Sequence, residues 1–74
     1  MGKISQDKDK EKKKQILSFL KKNSVDWHTG SKIASETGIH FYKAEYMLHE
    51  LLSQDKVELD DTKGVIKWWR IKQE

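Results

Sequence analysis

Tyr42, Tyr46 and His49 recur at i, i+4 and i+7, and Lys43 stands beside them. Phenolic hydroxyls and an imidazole on one stripe can hydrogen-bond phosphate oxygens, and tyrosine rings can lie against apolar groups on bases. A neighbouring lysine can neutralise a phosphate. His40, just upstream, stands where a helix N-terminus draws anions. Further on, Lys63 and Lys67 bracket Gly64, a pattern suited to a basic loop and the strand after it. Together, His40, Tyr42, Lys43, Tyr46, His49, Lys63 and Lys67 form the candidate binding set. Other chemistries find no footing. The three histidines, at 28, 40 and 49, lack the spacing of a metal-ligand set. There is no phosphate-cradling glycine loop and no nucleophile elbow. Asp60 and Asp61 are loop neighbours, not an acid and base held across a cleft. The expectation is a protein that is not an enzyme, with no cofactor and no metal.

These residues need elements to position them. Ala44, Met47, Leu48 and Leu51 repeat at i, i+3, i+4 and i+7, which predicts a helix over about 40–54 with a buried face opposite the tyrosines. Phe41 is read as a residue at the core edge. Upstream, Ile16, Leu17, Phe19 and Leu20 give a first helix over about 8–22, stopped near Asn23, its first half projecting beyond the core. Residues 1–7 are read as a flexible segment and residues 8–74 as one domain. Thr29 or Ser31 caps a short second helix that carries Ile33 and Ala34 and ends at Gly38. Trp27, just before it, is assigned to the core. Downstream, "KVEL" and "VIKWWRIK" alternate like strands, with "DDTKG" as the loop between them. Trp68 and Trp69, adjacent in a strand, point to opposite faces, one into the core and the other outwards, with Ile66 on the face of Trp68 and Ile71 on that of Trp69.

Charge is unevenly distributed. Residues 1–22 carry eight lysines against three acids, whereas residues 23–74 carry seven basic residues against nine acids. The lysine block is therefore read either as a solvated helix end or as an arm adding salt-sensitive phosphate contacts. Without cysteine, no disulfide or Cys-based zinc site supplements a core that buries only about 60% of the surface of so short a chain. Nothing resembles a membrane span or a signal peptide, so the expected compartment is the cytoplasm or the nucleoid.

The order helix, extended segment, helix, turn, helix, hairpin resembles the winged helix-turn-helix domains of small transcriptional regulators. The resemblance rests on Ala34 before the Gly38-Ile39 turn, on Ala44, Leu48 and Leu51 in the third helix, on Asp55 then Val57, and on Trp69-Arg70-Ile71 closing the wing. It implies an α+β fold of three helices with a C-terminal β-hairpin wing. It also implies binding of double-stranded DNA, with helix 3 in the major groove, the wing on the backbone, and homodimerisation. Two features depart from that pattern. His40, Phe41, Tyr42, Glu45 and Tyr46 stand where small polar and basic readers are common. Glu45 and His49, with no proline in the chain, also set it apart from the branch that reads left-handed nucleic acid. The alternative reading is a protein-interaction winged helix that presents Tyr42, Tyr46 and Trp68. A third reading has the tyrosines stacking on unpaired RNA bases.

Overall fold

A computed structural model describes residues 2–72, with side chains from residue 9 onwards. Helix α1 spans Gly2–Lys22, strand β1 His28–Thr29, helix α2 Gly30–Thr37, helix α3 Phe41–Ser53, strand β2 Val57–Asp60 and strand β3 Trp68–Ile71. This is a winged helix-turn-helix. Its core is formed by Ile16 and Leu20 of α1, Ile33 and Ala34 of α2, Ile39, the four apolar positions of α3, Val57 and Trp69. The face of α3 predicted to be buried is the one found: Ala44, Met47, Leu48 and Leu51 are all essentially inaccessible.

Local chemistry sets the element ends. At the end of α1, Asn23 donates twice to the Phe19 carbonyl, through its backbone N–H at 3.1 Å and its side-chain amide at 2.9 Å. Lys21 and Lys22 complement the dipole there. The Thr29 hydroxyl accepts the Lys32 amide at 3.1 Å and starts α2. Gly38, at φ 73°, ends it by donating its N–H to the Ala34 carbonyl. Asp55, at φ 61°, takes the same left-handed conformation after α3, and Lys56 N–H bonds back to the Leu51 carbonyl at 2.9 Å.

The sheet is antiparallel, in the order β1-β3-β2. His28 and Thr29 thus pair with Trp69 and Trp68, making the extended segment before α2 a third strand. The central place of β3 accounts for the complete burial of Trp69.

Four expectations are corrected. Helix α1 begins at Gly2, not near residue 8, because the polar lead-in consists largely of residues that propagate a helix once its core half has nucleated it. Nor does its first half simply project: from Asp9 onwards it lies beside α3, held by ion pairs. Strand β3 starts at Trp68, so Val65, Ile66 and Lys67 belong to the wing loop. Asp60 Oδ1 accepts both the Thr62 N–H and its hydroxyl, turning the chain away and leaving residues 65–67 with no strand opposite. Trp27 is only half-buried, with the Arg70 guanidinium 4.4 Å above its ring. No helix among the described residues is long and apolar enough to cross a membrane.

Candidate nucleic-acid interface

The outward face of α3 is a ridge. Tyr42 is 76% exposed and Tyr46 58%, and His49 is also exposed. At its start, His40 caps the helix: Nδ1 accepts the Tyr42 N–H at 3.3 Å, and the two rings stack at 5.7 Å. One imidazole nitrogen is thereby committed to the helix itself. At the far end, His49 stands edge-to-face on Trp69, with centroids 5.1 Å apart, so the base of the wing sets the orientation of its ring. Tyr42, Tyr46 and His49 are therefore brought together on one face, with His40 supporting it.

Lys43 is placed differently. Its Nζ lies 3.1 Å from Asp9 of α1, so this lysine ties the first helix to the third. Lys13 does the same from the other side, 2.8 Å from Glu50. The acids of α3 are thus withdrawn from the ridge. Glu50 is neutralised by Lys13, and Glu45 turns its carboxylate against Gly30, the first residue of α2. A carboxylate there suits the positive end of that helix. No β-carbon fits at Gly30 without displacing it.

The wing supplies the second part. Lys63 and Lys67 are exposed, and neither has an ion-pair partner among the described residues. Between them stand Val65, 99% exposed, and Ile66, 52% exposed. Phe41 is 40% exposed, so it is not a core-edge residue; it shares a hollow with Glu45, Ile66 and Lys67. That hollow separates α3 from the wing. Arg70, on β3, is occupied: its guanidinium donates twice to Glu58, at 2.8 and 3.0 Å, and covers Trp27.

Sequence reasoning missed Asp9 and Gly30. Asp9 reads as a partner for lysines on its own helix, and only the packing of α1 beside α3 reveals Lys43. Gly30 opens α2 directly after the Thr29 cap, and a glycine within a helix is the one sequence signal there for a close packing contact. Among the described residues no group of three or more His, Cys, Asp or Glu could hold a metal ion.

The class these features define is a winged-helix domain whose third helix presents an exposed aromatic face. A family profile described as FaeA-like protein matches residues 12–73, and the chain belongs to that family. Among solved structures, the Zalpha domain of Carassius auratus PKZ, crystallised in complex with Z-DNA, is similar in fold. It has a TM-score of 0.74 and 19% identity over 85% of this chain and 95% of that one. No curated protein matches the sequence.

Proposed function

We propose that this domain binds duplex DNA as part of a transcriptional regulator, with α3 in the major groove and the wing on the flanking backbone. The observation that carries the reading is the Tyr42–Tyr46–His49 ridge, exposed and cleared of its two acids, together with the exposed wing lysines Lys63 and Lys67. Tyr42 and Tyr46 contact bases and phosphates. His49 reaches the backbone, and the wing lysines neutralise phosphates. Lys43 acts mainly by holding α1 in place. The fold shared with a domain crystallised in complex with Z-DNA supports the DNA-binding part of this reading. In the cytoplasm or nucleoid the regulator acts as a homodimer, with recognition helices about 34–36 Å apart.

The test is fluorescence anisotropy on mixed-sequence duplex DNA at low salt. Tyr42→Ala/Tyr46→Ala is expected to weaken binding about tenfold or more, the loss of ~1–3 kcal/mol typical of a direct contact. Equal affinity would remove α3 from the interface. A left-handed alternating duplex, run alongside, distinguishes this reading from the ligand named for the PKZ domain. The exposed Phe41 and Ile66 favour a second reading, a protein partner on the same face. That reading predicts duplex binding that is weak and nearly independent of salt.

A further inference from the structure

Along α1, Lys10, Lys14, Leu17 and Lys21 follow one another at i, i+4, i+7 and i+11, a single stripe on the helix surface. Across from them lie Leu51, at the end of α3, and Lys56, just beyond it. Lys10, Lys14, Leu17, Leu51 and Lys56 line a groove of about 290 Å³. A second hollow of about 180 Å³ shares Leu17 and Lys56 with it and adds Lys21 and the apolar side chain of Ile71. The floor is apolar and the rim is basic.

Compensation on the rim is incomplete. Lys13 is engaged by Glu50 at 2.8 Å, and Lys72 by Asp55 at 3.1 Å. Lys10, Lys14, Lys21 and Lys56 have no ion-pair partner among the described residues. Four ammonium groups therefore surround two half-buried aliphatic side chains, Leu17 and Ile71, with the buried Leu51 beneath. A phosphate backbone would satisfy the ammonium groups but leave the floor unused. A peptide bearing carboxylates around a leucine or phenylalanine satisfies both. From Lys10 to Lys21 the stripe runs about 16 Å along the helix, the reach of about five residues of extended peptide.

We infer that this groove docks an acidic segment of a partner protein, its apolar side chain on the half-buried Leu17 and Ile71 and its carboxylates on the surrounding lysines. The site lies off the ridge and the wing, so the domain can hold a partner while its recognition helix is occupied. Its existence does not depend on what the ridge binds.

The probe is a fluorescent synthetic peptide of aspartate and glutamate carrying two leucines, titrated with the full chain. Lys14→Glu/Lys56→Glu is expected to weaken binding by about tenfold or more, because like charges brought together at an interface are strongly penalised. Far-ultraviolet circular dichroism should be unchanged, since both side chains are exposed. Replacing the leucines of the peptide by serine should abolish binding, and Lys63→Glu in the wing should leave it unaltered. The inference is overturned if the serine peptide binds as tightly. It is also overturned if the double variant keeps its affinity for the peptide and loses it for duplex DNA, which would make the groove a phosphate site.

Discussion

At the scale of single residues, Gly30 and Glu45 decide whether the ridge can tolerate a polyanion. Glu45 lies on α3, the helix proposed to enter the groove, and a free carboxylate there would repel phosphates. It is accommodated because Gly30 has no side chain, which lets the carboxylate fold back against the start of α2. In Gly30→Ala the new methyl group meets the end of a flexible side chain, not backbone, so Glu45 swings away at little cost. Alanine in place of glycine in a helix is worth up to ~1 kcal/mol, which offsets the disturbance. Thermal stability is therefore expected to change by less than about 1 kcal/mol, while duplex affinity falls; Gly30→Ala/Glu45→Ala should restore it. A melting curve and an anisotropy titration on the same samples separate the two effects. If Gly30→Ala leaves DNA affinity untouched, the position of Glu45 has no bearing on binding. Arg70 plays a structural part instead. Arg70→Ala removes the Glu58 pair and the cover on Trp27, both partly solvated, and is expected to cost about 1 kcal/mol in urea unfolding. Its effect on DNA affinity should be small.

At the scale of elements, the wing is organised by the turn after β2. The Thr62 hydroxyl donates to Asp60, and the Thr62 amide adds a second bond; together they hold the Asp60 carboxyl below its ordinary value of 3.8. The folded state therefore favours the charged form. The resulting stability is fully present above about pH 3.8 and is lost as pH falls through the lower, folded value. The Thr62 amide resonance should shift with an acid midpoint below that of a free aspartate, and Asp60→Ala should abolish the shift. The same turn shows what can be read from sequence. The buried face of α3 was legible because a helical repeat of apolar residues has one physical solution, burial. The outer limit of β3 was not. "VIKWWRI" alternates throughout, but a strand needs a partner, and the Asp60 turn removes the partner for residues 65–67. Likewise, Tyr42, Tyr46 and His49 could be placed on one face from spacing alone. The capture of Lys43 by Asp9 could not, because it depends on how α1 lies against α3.

At the scale of the whole molecule, the distribution of charge matters more than its total. The formal charge is only +3, and the lysine beside the helix ridge, Lys43, is held by Asp9. Among the described residues, the lysines without an ion-pair partner fall in two separate groups, one on the wing and one on α1 and at the neighbouring Lys56. If DNA lies across the ridge and the wing, few phosphates are neutralised, and the dependence of affinity on salt must be shallow. Each neutralised phosphate contributes a slope of about −0.9 in a plot of log affinity against log salt. Two wing lysines thus give a slope near −2, far from that of a protein making six to ten phosphate contacts. Lys63→Ala/Lys67→Ala should bring the slope close to zero, whereas Lys14→Ala/Lys56→Ala should leave it where it was. A steep slope that drops when the α1 lysines are removed would instead place the phosphates in the groove, with DNA crossing the first helix and not the wing. The titration therefore locates the polyanion on one of two surfaces, using variants whose altered side chains all stand outside the core.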